Sequence, residues 1–253
     1  MANFTHQHKS HIYVLLTAFS FYAPSYPILK VGHRGACGYE PDNTLRSFAK
    51  AIACNVDMIE LDVHVCKSGE LIVFHGHKLN KVVHDGGYVT QKTLTELQAL
   101  DVGKGETIPT LSQVFDLMAP TNIIINIELK GENTAQAVTD LINSYVKDKG
   151  YSYHRFVVTS FNHYELDAFH KACPEIACGA IISGIPLGRA EFGERVHAAY
   201  IVVDINCINQ ALVDDAHTRG IKVMVYTVND YEDIVLMKSL GVDGIISNFP
   251  DRI

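Results

Sequence analysis

The stretch DMIELDVHV, Asp57 to Val65, sets two carboxylates and an imidazole inside an apolar, β-branched run. Side chains two apart on a strand share a face, so Glu60, Asp62 and His64 point one way while Ile59, Leu61 and Val63 point the other. An apolar set this continuous is the face that covering helices bury. The carboxylates then point either into the mouth of a closed barrel or into solvent, and the strongly apolar setting favours the mouth.

Working outward from this run, stretches of the same character recur with helical stretches between them. ILKVG, ELIVFHG, NIIINIELK, RFVVTSF, IACGAII, YIVVDI, KVMVYTV and GVDGIIS read as strands. TLRSFAKAIAC, NTAQAVTDLINSYVKDKG, HYELDAFHKAC, INQALVDDAHTRG and DYEDIVLMKSLG carry helical period. Continuously apolar strands belong to a parallel sheet covered on both faces. About eight such α/β units in a chain of 253 residues fit a (β/α)8 TIM-type barrel.

The punctuation agrees with this division. Asn43-Thr44 is placed to cap the helix beginning near Leu45, and Gly150, Gly220 and Gly241 stand where helices should stop. Gly76 to Pro109 has no strong strand and exceeds an ordinary loop. It reads as a small insertion, about 76–109, after the strand ending at His75, with one short helix around Leu94 to Leu100, over one end of the barrel.

Residues 28–253 form the domain, and residues 1–27 are either an N-terminal extension or a signal segment. Ile12 to Ala23, IYVLLTAFSFYA, is shorter than the ~20 residues of a membrane span, so no stable span is expected. It has the length of a signal-peptide core, yet Lys9 is its only flanking positive charge. The expectation is a cytoplasmic protein; export is the alternative if residues 1 to about 20 are a signal peptide. His6, His8 and His11 read as a solvated tail rather than a metal tract.

With 21 basic against 28 acidic residues and no Lys/Arg block, a nucleic-acid partner is not expected. A small anionic substrate then needs a local basic or metal-bearing site. Cys37, Cys54, Cys66, Cys173, Cys178 and Cys207 lack CxxC spacing and read mostly as small buried residues.

In such a barrel the functional residues gather at the C-terminal ends of the strands. His33-Arg34 ends the first run, Glu60 and Asp62 lie in the second, His75 ends LIVFH, and Glu128 and Lys130 end IIINIELK. Inward carboxylates without a counter-charge raise each other's pKa. A divalent cation removes the conflict, with Glu128 as third ligand, and an all-oxygen set suits Mg²⁺ or Ca²⁺. Histidine, with its ordinary pKa near ~6.5, lets one of His33 and His75 accept a proton while the other donates one. Arg34 offers a bidentate fork and Lys130 a point charge for phosphate. Together these residues describe a phosphodiester-cleaving site.

The sequence resembles the glycerophosphodiester phosphodiesterase family over nearly its whole length from Ile28 to Ile253. The segments that carry the likeness are HRGACGYEPDNT, IELDVHVCKSGELIVFHG, IPTLSQVF, IELK and VYTVND with GVDGIISNFP, in that order. The resemblance implies a (β/α)8 barrel with an insertion after the second histidine. It implies His33 and His75 as the acid/base pair, Arg34 and Lys130 on phosphate, and Glu60, Asp62 and Glu128 on the cation. The chain departs from the family pattern at Asp42 (Glu is usual), Gly76 (Asp), Tyr226 (Trp) and Asn248 (Asp). Asp42 and Asn43 are expected beside the site as supporting residues, Tyr226 as a substrate-lining ring, and Asn248 as a change to a turn.

The function expected is metal-dependent hydrolysis of a glycerophosphodiester to sn-glycerol 3-phosphate and an alcohol, with water or the glycerol 2-hydroxyl as nucleophile. The alternatives are a phospholipase D-like hydrolase of lysophospholipids and a catalytically silent barrel that binds phosphodiesters. His64 reads as a packed residue or a partner of the site, His77 and His84 as exposed residues of the insertion, and Phe161 as a core or pocket aromatic.

Overall fold

Hydrogen bonding between first and last strands decides the architecture of this computed structural model, which describes residues 27–253. The apolar segment Ile12 to Ala23, the tail histidines and the choice between extension and signal segment lie outside the described residues. The strands are β1 (Leu29–Gly32), β2 (Met58–Val65), β3 (Leu71–Val73), β4 (Ile124–Leu129), β5 (Phe156–Ser160), β6 (Ala177–Ile182), β7 (Tyr200–Asp204), β8 (Lys222–Tyr226) and β9 (Gly244–Ser247). All but β3 are parallel, and β1 pairs with both β2 and β9, so eight strands close into a barrel. The helices α1 (Leu45–Ala53), α2 (Leu94–Gln98), α3 (Leu111–Met118), α4 (Thr134–Lys149), α5 (His163–Ala172), α6 (Glu191–Arg195), α7 (Gln210–Thr218) and α8 (Tyr231–Leu240) lie between them in sequence.

β3 is the exception to the parallel reading. It returns antiparallel along the end of β2, pairing Val63 with Val73 and Val65 with Leu71. The turn between them is closed by Cys66 and Gly69 amides on Glu70 and Cys66 carbonyls. A connection that short makes a hairpin, since a parallel return needs a crossover of a dozen or more residues. Strand pairing stops at Val73, so His75 lies just beyond the strand rather than at its last position. The Val73 amide bonds the Pro109 carbonyl and the Phe74 amide bonds that of Asp62, which locks this hairpin to the barrel rim.

The two faces of each strand serve two cores. Inside the barrel, Val31, Met58, Val157, Ile181, Val202, Met224 and Ile246 form one cluster drawn from seven strands. Outside, Ile59, Leu61 and Val63 join Phe48 of α1, Phe115 of α3 and Val138 of α4. Between Val73 and Leu111 the chain builds a separate small cluster, in which Leu79, Val89, Leu97 and Ile108 pack with Cys66 and Ile72. α2 supplies Leu97 to it and is started by a capping box of Thr93 with Glu96.

Thr44 alone caps α1, its hydroxyl accepting from the Ser47 amide. Asn43 takes a left-handed conformation and turns its side chain inward instead. Gly150, Gly220 and Gly241 all have positive φ at helix ends. Cys66, Cys173 and Cys178 are buried, whereas Cys37, Cys54 and Cys207 are half-buried, and all six are free thiols. Among the described residues no helix is long and apolar enough to cross a membrane.

Phe115 is fully buried, with its ring 5.0 Å from Tyr145 and 5.1 Å from Phe156. Phe115→Ala is expected to lower the unfolding free energy by about 3–5 kcal/mol, read by urea titration.

Candidate active site

The β2–β4 register sets Asp62 beside Glu128 and Glu60 beside Asn126. Because Met58, Glu60 and Asp62 alternate on the inner face, the carboxylates stand on top of the apolar layer that Met58 helps to fill. Oxygens of Glu60, Asp62 and Glu128 lie within 4.8 Å of one another, and all three residues are buried. Burial, then repulsion from Asp62 and Glu128, pushes the Glu60 carboxyl well above the usual carboxylate range. Burial and Asp62 push Glu128 up to about 7. Asp62 moves the other way. Burial acts to raise it, but Arg34, His75, Lys130 and the Asn43 amide outweigh that and hold it below its ordinary value.

Arg34 and Lys130 serve these carboxylates in the structure. The Arg34 backbone amide donates to Glu60 at 2.9 Å, its Nε lies 3.4 Å from Asp62, and its Nη1 bonds Asp42 at 3.0 Å. Lys130 Nζ bonds Glu128 Oε1 at 2.8 Å and lies 3.8 Å from Asp62 Oδ1. Asn43 donates its amide to Asp62 Oδ2 at 2.8 Å. Even so, Asp62 Oδ1 is buried with no hydrogen-bond partner. Three converging carboxylates, one with an orphaned oxygen, match the demand of a hard divalent cation for oxygen ligands. The residues present fit such an ion.

Both histidines lie near enough to Asp62 to feel its charge, and of the two only His33 lines the cleft over the cluster. His33 follows β1, its backbone amide bonded to the Ser247 carbonyl, and its Nδ1 lies 2.6 Å from Asn248 Oδ1. Burial, reinforced by the Arg34 charge, lowers its pKa to about 4. His75 is carried in by the Phe74–Asp62 backbone bond. Burial lowers its pKa too, with Asp62 opposing and Arg34 and Lys130 adding to the effect. Burial thus favours the neutral ring in both, most strongly in His33.

Gly76, next in the chain, sits in a tight turn where a Cβ would lie 2.9 Å from the Lys78 carbonyl oxygen. The turn is built around glycine, so a carboxylate there would force the backbone to move.

A small cleft of about 30 Å³ opens over the cluster, lined by His33, Glu60 and Glu128 and by Ile181, Val202 and Tyr226. The Tyr226 hydroxyl donates to the Ile182 carbonyl at 3.0 Å, which engages that hydroxyl where the residue lines the cleft. Phe161 is 45% exposed at the rim, with Lys130 Nζ 5.4 Å from its ring centre, which makes it a lining residue and not a core one. His64 is fully buried, its ring edge-on to exposed His77 with centres 5.2 Å apart, and neither of its nitrogens has a partner. His84 is exposed.

Sequence reasoning missed two residues. Asn126 is buried in the cavity wall, accepting from the Thr159 hydroxyl at 3.0 Å. Its signal was legible, since it stands two positions before Glu128 in an isoleucine run. Asn248, expected to alter only a turn, instead bonds a histidine across 215 residues of sequence, a contact that no local pattern announces.

The barrel and this cluster can be set against known proteins. A profile of the glycerophosphoryl diester phosphodiesterase family matches residues 33–252. The chain belongs to that family. It is accordingly a phosphoric diester hydrolase. A glycerophosphodiester phosphodiesterase of Caldanaerobacter subterraneus is 31% identical over 233 residues, covering 89% of this chain and 96% of the relative. The structure of an Oleispira antarctica phosphodiesterase in complex with its product sn-glycerol-3-phosphate aligns at a TM-score of 0.81 with 28% identity, covering 88% of this chain and 94% of that one. The Thermotoga maritima glycerophosphodiester phosphodiesterase aligns at 0.71 with 25% identity, covering 89% and 97%.

Carboxyls whose pKa is raised by folding hold more protons in the native state than in the unfolded one, so their contribution favours folding at low pH. It is lost as pH rises through the raised values. For Glu128 the window runs from its ordinary 4.5 to about 7, and Glu60 acts in the same direction. Asp62, with a lowered pKa, acts only below the ordinary carboxylate range. Buried His33, His64 and His75, whose pKa values are lowered, act the opposite way up to about pH 6.5, so the Glu128 contribution is read as a difference: in EDTA, the unfolding free energy of the unaltered protein relative to Glu128→Gln, from urea titrations, is expected to fall between about pH 5 and about pH 7.

Proposed function

We propose that the protein hydrolyses glycerophosphodiesters to sn-glycerol 3-phosphate and an alcohol, using one divalent cation, Mg²⁺ or Ca²⁺, and the His33/His75 pair. The observation that carries this reading is one cleft that brings His33, Glu60 and Glu128 around the same space, with Asp62 in the same carboxylate cluster. Family membership and the product held by the Oleispira antarctica relative support the substrate class.

Glu60, Asp62 and Glu128 would hold the cation, which when bound supplies positive charge to the phosphoryl oxygens. Arg34 and Lys130 stand within 4.0 Å of those carboxylates, and in this reading they hold phosphate oxygens. One histidine takes the proton of the attacking hydroxyl and the other gives a proton to the departing alkoxide. The apolar wall of Ile181, Val202 and Tyr226 excludes water from the side away from the charges.

A second reading has its own observation. Beside the cavity, and sharing Phe161 and Ile181 with it, runs an open trough of about 770 Å³ lined by Ile182, Ile185, Pro186 and Phe192. A trough of this kind suits the acyl chain of a lysophospholipid, and comparing glycerophosphocholine with lysophosphatidylcholine as substrates decides between the two. A barrel that only bound phosphodiesters would saturate without releasing product.

The purified protein is expected to release glycerol 3-phosphate from glycerophosphocholine, to lose that activity in EDTA, and to regain it with Mg²⁺ or Ca²⁺. His33→Ala and His75→Ala are each expected to lower kcat by about 10²- to 10⁴-fold with an unchanged circular dichroism spectrum. Full activity in either variant would end the assignment.

A further inference from the structure

Asn248 follows β9 at the seam where the barrel closes, and its backbone is held at both ends. Its amide donates to Asn229 Oδ1 at 2.9 Å, and its carbonyl accepts from the Gly38 amide at 2.9 Å. Gly38 lies so close to the Phe249 ring that a Cβ there would stand 2.3 Å from it, which keeps this loop pressed on the strand end. On the other side of the seam the His33 amide bonds the Ser247 carbonyl at 2.9 Å. Main-chain bonds thus fix both residues before their side chains meet.

We propose that Asn248 is a positioning residue that fixes the tautomer of His33: its Oδ1 accepts from Nδ1–H at 2.6 Å, which leaves Nε2 as the nitrogen with a free lone pair. His33 then enters the reaction as the proton acceptor. Nε2 takes the proton of the attacking O–H, its lone pair becomes the new N–H bond, and Nδ1–H remains on Asn248 throughout. This proposal rests on the reading of His33 as one of the acid/base pair.

The orientation of the Asn248 amide follows from a second donor. Cys37 Sγ lies 3.0 Å from the same Oδ1, and burial pushes its thiol up to about 12, so it keeps its proton. An amide oxygen has two lone pairs and takes both donors, whereas the reversed amide would aim an N–H at a weak sulfur acceptor. An amide is also uncharged. It sets the tautomer of the imidazole without the negative charge that would draw a second proton onto it, and the ring stays able to accept one.

The test starts from the full chain labelled with ¹⁵N-histidine, with the His33 signals assigned by their loss in His33→Ala. The ¹⁵N shifts at neutral pH are expected to show the Nδ1–H tautomer of His33 in the unaltered protein, a measurement that needs no variant to fold. Asn248→Leu, which removes the acceptor, is expected to shift the ring toward Nε2–H and to lower kcat by about 10- to 100-fold, the usual span for partners that orient a reacting group, with KM within about twofold. Asn248→Asp, which keeps an acceptor oxygen but adds a charge, is expected to keep Nδ1–H, to raise the ring's pKa, and so to shift the kcat profile to higher pH while keeping most of kcat at its alkaline plateau. An Nε2–H tautomer in the unaltered protein, or an unchanged kcat in Asn248→Leu, would overturn the proposal. The activity of His33→Ala, measured alongside, separates this failure from failure of the functional reading, because full activity there removes His33 from catalysis whatever its tautomer.

Discussion

Three carboxylates buried within 4.8 Å of one another are costly to hold, and much of the barrel mouth is bonded to them. Ionised groups taken out of water lose several kcal/mol each of solvation unless charge and hydrogen bonds replace it. The replacement here is partial. The charges of Arg34 and Lys130 and the Asn43 amide hold Asp62 ionised, while Glu60 and Glu128 lean toward protonation even though the Arg34 amide bonds Glu60 and Lys130 bonds Glu128. An arrangement so far from self-sufficient makes physical sense as a site completed by a cation and an anionic substrate together.

The fold meets that cost through rigidity. The carboxylates sit on adjacent barrel strands whose register is fixed by continuous parallel pairing. They rest on a layer of apolar side chains contributed by nearly every strand. The less regular parts are tied to the same strands. The hairpin carrying His75 hangs on the carbonyl of Asp62, and the loop carrying His33 and Arg34 is bonded to Ser247, to Asn248 and to Glu60. Arg34 itself has a positive φ, a conformation that its backbone bond to Glu60 helps to hold. Side chains from the first, second and last strands are in this way held on one cluster.

Much of this was legible in the sequence because barrels translate position into place. Two-residue alternation in MIELDV turned Glu60 and Asp62 to the inside, and the same rule would have found Asn126 had it been applied to the isoleucine run before Glu128. Other features depended on contacts that periodicity does not encode. Whether LIVFH is a barrel strand or the return arm of a hairpin turns on the length of one connection. Asn43 read both as part of a helix cap with Thr44 and as a residue beside the site; Thr44 does the capping and Asn43 reaches Asp62. The bond between His33 and Asn248 joins opposite ends of the chain and emerges only when the barrel closes.

The central claim is that the buried carboxylates form one cation site, and stoichiometry tests it most directly. Chelator-treated protein would be titrated calorimetrically with Mg²⁺ and with Ca²⁺ at neutral pH, beside Asp62→Asn. The account predicts saturable binding of one ion per chain and loss of that binding in the variant. No saturable binding to folded protein, or binding undiminished by Asp62→Asn, would contradict it.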